Sequence, residues 1–324
     1  MESNAGKVQY IRTCSIWRAL EIFGDVPTLL ILQSYWLGAR RFDDFCRSTG
    51  LLKTVVSGRL KKLVGHNCLV KVEYREKPRR FEYRATGELL DLFPAALAML
   101  HWERRWGSKK GKIEIQVTHS PCGELTDPYP ACSACNEKSD ARDSSWEPGP
   151  GIGTMPAIYS RRRRKTSQST GDTTELLDDI TRVIGDRWSA LILRSVFTGL
   201  NQYQAILEDT AISTNILADR LAELCDSAIL RRVEEPNDMR RANYKLTDKG
   251  RDIYPILITL MQWGDKWRPA AEGPPLLLAH RPCSAPLKIV MACSSCGAEV
   301  APQETRVEIF REERKVDIGA RLQA

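Results

Sequence analysis

The chain has 324 residues, enough for two domains of ordinary size, and its 42% apolar and 27% charged content is typical of a soluble globular protein. The longest apolar runs, "TLLIL" and "PLLLA", are far too short to cross a bilayer, and the first residues lack the apolar core of a signal peptide. The net charge of +7 favours an anionic partner, and we expect a cytoplasmic protein with no membrane partner.

The first hundred residues predict a helix-rich unit with one hairpin. Helical periodicity indicates helices over about Ser15–Phe23, Pro27–Trp36, Phe42–Ser48 and Thr54–Val64. The β-rich stretches "CLVKVEY" and "FEYRAT" flank the basic turn "REKPRR", and a long helix follows over about Glu88–Trp106. This order is the plan of a winged helix-turn-helix domain, with an unrelated small α+β domain as the alternative.

The same unit returns 161 residues later. At this offset Gly24-Asp25 meets Gly185-Asp186, and "HSPCGELTDPYPACSAC" meets "HRPCSAPLKIVMACSSC" without a gap. The chain is therefore an internal duplication. We predict a mainly α protein with small β-wings (α+β), made of tandem winged helix-turn-helix domains that are each followed by a small Cys/His zinc-knuckle-like segment.

The predicted boundaries follow the repeat and the composition. Residues 1–13 form an N-terminal arm, 14–112 and 175–273 the two winged domains, 113–136 and 274–301 the Cys/His segments, 137–174 a flexible basic linker and 302–324 a charged tail. The linker contains "EPGPGIG" and "RRRRK". The basic run at Arg161–Lys165 could act as an electrostatic arm on DNA or simply be a solvated part of the linker.

Each Cys/His segment offers one imidazole and three thiols at metal-ligand spacing. We expect two structural zinc sites, one per repeat, with the ligand sets His119, Cys122, Cys132, Cys135 and His280, Cys283, Cys293, Cys296. Each site would fix the segment after the long helix onto its own domain. Redox-active thiols and unliganded inherited residues are the alternatives.

The helix at Thr54–Val64 has a face suited to the DNA major groove. Val56, Leu60 and Leu63 form its buried stripe, and the opposite side is small, polar and cationic. Arg59 lies at the border, where a phosphate contact and a structural salt bridge are equally good interpretations. The predicted DNA-binding residues of this unit are Thr54, Ser57, Gly58, Arg59, Lys61 and Lys62 on the helix, and Arg79 and Arg80 on the wing.

The two repeats differ in charge. Residues 14–112 carry 19 basic and 10 acidic side chains, whereas residues 175–273 carry 13 and 16. Each phosphate contact adds to affinity through counterion release, so we expect the first unit to supply most of the affinity for DNA. The weaker candidates in the second unit are Thr214, Asn215, Arg220, Arg240 and Arg241.

Several motifs resemble those of HxlR-type winged helix-turn-helix regulators. They include "CSIWRALEIFGD" with "LLILQSYWLGARRFDDF", "VIGDRWSALILRSVFTGLNQYQAI", "VSGRLKKL" with "PRRFEYRAT", and "LADRLAEL" with "RRANYKLTDKG". The resemblance covers about Cys14–Gly111 and Glu175–Gly273. It implies bacterial regulators that bind operators as dimers, with the last and first helices forming the dimer interface. This chain departs by fusing two domains, and by placing Pro27 where the second repeat keeps Trp188.

The resemblance also implies a role for Cys14, because some members sense electrophiles or oxidants through a cysteine near the N-terminus. A structural cysteine is the favoured interpretation, and a redox sensor is the alternative. If Cys14 is a redox sensor, we expect a small-molecule or oxidant effector.

We therefore predict a sequence-specific regulator of transcription, with repression as the favoured mode. It would bind double-stranded DNA as an intramolecular pseudo-dimer led by domain 1, associate with the nucleoid when bound, and have no enzymatic activity. A homodimer of the fused chain is a further expectation. The alternative is a protein-interaction or redox-sensing scaffold in which domain 2 is a dimerisation or effector module. The duplication could also be a linked dimer that has merely diverged.

Overall fold

The computed structural model of the protein describes residues 9–77, 79–108, 113–157, 176–235, 238–311 and 314–316. No helix within these ranges is both long and apolar enough to cross a membrane. A short strand, β1 (Gln9–Arg12), precedes the first winged unit. Unit 1 then consists of α1 (Ser15–Phe23), α2 (Val26–Trp36), α3 (Phe42–Thr49), α4 (Lys53–Gly65), β2 (Leu69–Arg75), β3 (Arg80–Ala85), α5 (Gly87–Leu90) and α6 (Phe93–Trp106).

Four strands lie between the two units: β4 (Glu114–His119), β5 (Tyr129–Cys132), β6 (Ser144–Pro148) and β7 (Thr154–Ala157). Unit 2 repeats the first plan with α7 (Asp178–Ile184), α8 (Arg187–Phe197), α9 (Tyr203–Thr210), α10 (Thr214–Asp226), β8 (Leu230–Glu235), β9 (Asp238–Leu246), α11 (Asp248–Arg251) and α12 (Tyr254–Trp267). The strands β10 (Leu276–His280), β11 (Ile289–Ala292), β12 (Thr305–Arg311) and β13 (Arg314–Val316) follow. The tandem winged helix-turn-helix fold is confirmed.

Local sequence signals explain where the helices of unit 1 begin and end. The Asp25 carboxylate caps α2 by accepting from the backbone N–H of Thr28 at 3.1 Å, with Pro27 in the first turn. Gly50 ends α3 with a left-handed φ of 63° that favours glycine. The long helix that we predicted over Glu88–Trp106 is instead broken into α5 and α6, because Pro94 cannot continue a preceding helix and occupies the first turn of a new one.

A pseudo-twofold axis relates the two units. Asp25 pairs with Asp186 in an isolated antiparallel bridge, and Pro130 lies opposite Met291 in the ladder between β5 and β11. Each of these pairs joins residues that are equivalent in the repeat, separated by 161 positions. Equivalent residues can face each other only on the axis, so the axis passes through both points. The duplicated chain has thus folded like a symmetric dimer.

The helices at the ends of the units form the interface between them. Trp102 donates from Nε1 to the Lys249 carbonyl at 2.9 Å, and its equivalent Trp263 donates to the Glu88 carbonyl at 2.6 Å. On one side Gly264 in α12 lets α1 approach so closely that a Cβ there would lie 2.2 Å from the Ser15 carbonyl oxygen. The apolar core is continuous across the interface.

The strands outside the winged units are exchanged between repeats. Antiparallel pairs join β4 to β12, β6 to β10 and β5 to β11, and β1 pairs with β7. In each of the first three pairs, one strand comes from the first repeat and its partner from the second. The two chain halves are therefore interlocked behind the winged units.

This exchange corrects the predicted roles of three segments. The region 137–174, which we expected to be a flexible linker, contributes β6 and β7. The predicted charged tail contributes β12 and β13, and the N-terminal arm contributes β1. β1, β6, β7 and β12 acquire partners from the other repeat or from distant chain, which local composition does not reveal, and β13 pairs with the neighbouring β12. The basic run Arg161–Lys165 lies outside the described residues.

Candidate nucleic-acid interface and metal centres

Helix α4 has the faces that its sequence predicts. Val56, Leu60 and Leu63 are fully buried, and they anchor the helix to the rest of unit 1. The exposed side carries Thr54, Ser57, Gly58 and Lys61. Among the described residues, nothing apart from its chain neighbours and the backbone of α4 lies within 4 Å of a Cβ added at Gly58, so the backbone is open to a close approach from outside. The structure therefore presents this small, polar and cationic face to solvent.

Two other cations of α4 point towards the interior. The Arg59 guanidinium donates from Nε to the Asp25 carboxylate at 2.6 Å, so a salt bridge is what the structure contains. The Lys62 ammonium donates to the Ile22 carbonyl at 2.6 Å and lies 3.7 Å from the Asp25 carboxylate. Their exposed side-chain fractions are only 19% and 21%. In this arrangement both residues position α4 against the axis.

These neighbours stabilise the ionised form of the Asp25 carboxyl group. Burial by itself would raise the pKa of the carboxyl, but the Arg59 guanidinium, Lys62 and the Thr28 hydroxyl lower it below its usual value. Unit 2 repeats the device, since Arg220 lies 2.5 Å from the Asp186 carboxylate and 3.1 Å from Glu223. In each unit an arginine, Arg59 of α4 or Arg220 of α10, thus forms a salt bridge with an aspartate on the axis.

The exposed side of α10 differs from that of α4. Thr214 and Asn215 are exposed, as predicted for a reading helix. Beside them Asp219, Ala222 and Glu223 occupy the positions that Gly58, Lys61 and Lys62 hold in α4. The second helix therefore offers an anionic surface in the same geometry.

The wing of unit 1 carries exposed arginines. Strands β2 and β3 pair with a register shift between Glu73 and Arg75, next to the turn. Arg79 is 73% exposed and pairs with Glu73 at 3.0 Å, and Arg80 is exposed at the start of β3. In the second wing, the side chains of Arg240 and Arg241 lie outside the described residues.

The eight predicted metal ligands form two compact clusters. Cluster 1 consists of His119, Cys122, Cys293 and Cys296, and cluster 2 of Cys132, Cys135, His280 and Cys283. Within each cluster the ligand atoms lie within 4.8 Å of one another. In cluster 1, Nδ1 of His119 is 3.4 Å from Cys122 Sγ and 3.3 Å from Cys296 Sγ. Each group could hold one metal ion.

The predicted grouping of these ligands is wrong. We expected each site to draw all four ligands from one repeat, whereas each cluster joins the His-x2-Cys of one repeat to the Cys-x2-Cys of the other. The pairing of β5 with β11 across the axis is the physical reason, because it carries Cys132 to within 3.9 Å of Cys283. By symmetry Cys122 lies 3.9 Å from Cys293. The clusters thus link the repeats to each other.

The donor atoms suit a tetrahedral ion. Thiolates about 2.3 Å from a tetrahedral zinc lie about 3.8 Å apart, close to the two 3.9 Å separations found here. Burial would raise the pKa of the Cys293 thiol, but hydrogen bonds from Thr126 and nearby backbone N–H groups lower it to about 6. The pKa of its equivalent, Cys132, is also lowered. Thiolate is the form that binds metals. At Cys122 and Cys135 backbone hydrogen bonds would lower the pKa of the thiol, but burial and the neighbouring cysteines raise it.

Both histidine rings turn towards the thiols of their clusters. Nδ1 of His119 and of His280 faces the thiols, and both rings are fully buried. Nε2 of His119 lies 4.0 Å from the Glu304 carboxylate, which comes from the other repeat. This separation is longer than a hydrogen bond, and within the described part of the chain the buried Nε2 atoms of His119 and His280 have no hydrogen-bond partner.

Cys14 is a buried residue, 3% exposed, at the start of α1. Its sulfur accepts from the Trp17 backbone N–H at 3.4 Å. The residue beside it that sequence reasoning missed is Arg194 of α8, which is buried in an ion pair with Asp209 at 2.6 Å. Burial would lower the pKa of Arg194, but Cys14 and Asp209 raise it. Sequence gives no signal for this contact, because it crosses between the units.

A family model described as HxlR-like helix-turn-helix matches residues 22–111 and 183–272. An uncharacterized HTH-type transcriptional regulator of Mycobacterium tuberculosis is 38% identical over 138 residues, which are 43% of this chain and 87% of that protein. The HTH-type transcriptional regulator YodB of Bacillus subtilis is 30% identical over 86 residues, covering 26% of this chain and 77% of that protein. The mycobacterial relative therefore has about the length of one repeat. This chain belongs to the HxlR-like helix-turn-helix family and contains its domain twice.

Proposed function

We propose that this protein is a sequence-specific DNA-binding regulator of transcription in which the two repeats take the places of the two subunits of a dimer. The observation that carries the proposal is the pair of helices α4 and α10, each with an exposed face and each fixed to one pseudo-twofold axis. A twofold arrangement of reading helices suits two half-sites on one side of the duplex, about one helical turn apart. The relatives are named as HTH-type transcriptional regulators, which supports this function.

Domain 1 supplies most of the affinity in this proposal. Thr54, Ser57, Gly58 and Lys61 enter the major groove, and Arg79 and Arg80 reach phosphates or the adjacent minor groove. Arg59 and Lys62 contribute by holding α4 in place rather than by contacting phosphates, because their cationic groups are engaged with Asp25 and the Ile22 carbonyl.

Domain 2 reads DNA with fewer phosphate contacts. Thr214 and Asn215 are available to base edges, and Asp219 can accept from a cytosine amino group. Arg220 is a positioning residue like Arg59, since it is bound to Asp186. Two unlike reading helices on one axis favour an operator whose two half-sites differ, which a homodimer would not select.

We also propose that the clusters bind two zinc ions as structural sites. Four ligands per cluster leave no position for a substrate, which is the pattern of structural zinc. Bound zinc would supply a cross-link between the repeats. The ligands come from both repeats, so the metal would hold the reading helices in a fixed relation instead of stabilising each domain alone.

Selection of binding sites from random duplex DNA tests the proposed function. We expect the wild type to enrich one asymmetric motif. Lys61→Ala should weaken its binding and lower the steepness of the salt dependence by about one unit, as for one lost phosphate or base contact. Lys138→Ala removes an exposed lysine that lies outside both winged units and serves as the matched control. Failure of the wild type to enrich any motif would refute the proposal and favour a protein-interaction scaffold.

A further inference from the structure

Leu52 is the most exposed of the large apolar side chains in the described ranges, at 72%. It is the N-cap residue of α4, directly before Lys53 and Thr54. The N-terminal residues of a reading helix are those that contact base edges in helix-turn-helix proteins. Its apolar side chain therefore projects where the helix would meet the DNA.

The fold does not require leucine at this position. Leu52 makes no capping hydrogen bond, and serine, threonine, asparagine and aspartate are the residues that stabilise a helix at its N-cap. The equivalent residue of α10 is Ser213, which also makes no capping hydrogen bond. The backbone angles are nearly equal, with φ −58° and ψ 139° at Leu52 and φ −68° and ψ 147° at Ser213. A serine thus fits the same turn, so neither packing nor backbone geometry explains the leucine.

We propose that Leu52 is a specificity-determining residue that contacts the C5-methyl group of a thymine in the half-site bound by domain 1. The inference rests on the proposed DNA-binding function. Thymine is the base that presents a methyl group in the major groove, and apolar side chains recognise it there. The surrounding residues Lys53, Thr54 and Lys61 are exposed and polar or cationic, which suits a nucleic acid better than an apolar protein partner. Ser213 makes no such contact, so the thymine belongs to one half-site only.

Deoxyuridine isolates this contact, because it differs from thymidine only by the C5-methyl group. Each thymine of the selected operator is replaced in turn, and the Kd of the intact chain is measured for every duplex. One replacement in the domain 1 half-site should weaken wild-type binding about fourfold, the value expected for one buried methyl group. The Leu52→Ser variant should bind the thymidine duplex and the deoxyuridine duplex equally well.

Two further variants make the result specific. Leu277→Ser removes a leucine that is 40% exposed on β10, outside the winged units, and should keep the fourfold discrimination. Ser213→Leu should create a second sensitive thymine in the other half-site. Equal discrimination by wild type and Leu52→Ser, or no sensitive thymine in the domain 1 half-site, would overturn this inference while leaving the proposed function intact. Failure to select any operator would overturn both.

Discussion

Ligand pairs removed together should distinguish clusters shared between repeats from clusters within repeats. Cys122 and Cys132 come from the same repeat but belong to different clusters, whereas Cys122 and Cys293 belong to one cluster. The double variant Cys122→Ser/Cys132→Ser should therefore lose both zinc ions. Cys122→Ser/Cys293→Ser should keep one. Ligand sets confined to one repeat would give the opposite pair of results.

The expected effect on stability follows from the length of chain that each link closes. Cys122 and Cys293 are 171 residues apart, and a cross-link over that distance removes about 5 kcal/mol of chain entropy from the unfolded state. A link within one repeat, such as Cys122 to Cys135, would close a loop of about 13 residues and contribute about 3 kcal/mol. Loss of both clusters should thus lower stability by more than the loss of cluster 1 alone.

The assay is zinc per chain, determined by elemental analysis after dialysis against a competing chelator, together with the thermal midpoint of each variant. We expect two zinc ions in the wild type. Cys122→Ser/Cys132→Ser should contain none, and Cys122→Ser/Cys293→Ser should contain one. Retention of one ion by Cys122→Ser/Cys132→Ser would refute the shared arrangement. Absence of zinc from the wild type would refute the zinc proposal itself.

Three further predictions concern the interface between the repeats. Gly264→Ala should destabilise the protein by about 1–3 kcal/mol in urea unfolding, because the new Cβ collides with the Ser15 carbonyl. The control variant Gly65→Ala should not destabilise it, because a Cβ at Gly65 meets open space. Equal effects of the two substitutions would contradict this packing. Trp263→Phe should cost about 1–3 kcal/mol by leaving the buried Glu88 carbonyl without its donor, and Trp106→Phe less, since the Asp252 carboxylate can turn to water. The pKa of Asp25 is lowered in the folded state, so its contribution is present above the usual pKa of 3.8 and is lost as the pH falls through the lower folded value. The stability difference between wild type and Asp25→Asn should therefore be constant from about pH 5 to 7 and shrink below about pH 4; a difference that grows in acid would contradict this.

The order of helices and wings could be predicted from sequence because it depends on local signals. The apolar spacing of Val56, Leu60 and Leu63 determines the buried face of α4, and Pro27 marks the start of α2. The repeat and the eight metal ligands were equally visible. The interruption before α6 could have been predicted too, from Pro94, since proline is disfavoured inside a helix.

Tertiary structure alone decided how the repeats combine. Ligand sets within and between repeats have the same residues at the same spacing, so sequence cannot choose between them; the antiparallel pairing of β5 with β11 does. The sequence left Arg59 open between a phosphate contact and a salt bridge, and it predicted Lys62 on the DNA-contacting face. In the structure both turn towards the Asp25 carboxylate, which lies 34 residues before Arg59 and comes close only through the tertiary fold. Strands β6 and β12 have polar, proline-containing surroundings that locally indicate a linker and a tail, and they become strands because the other repeat supplies their partners.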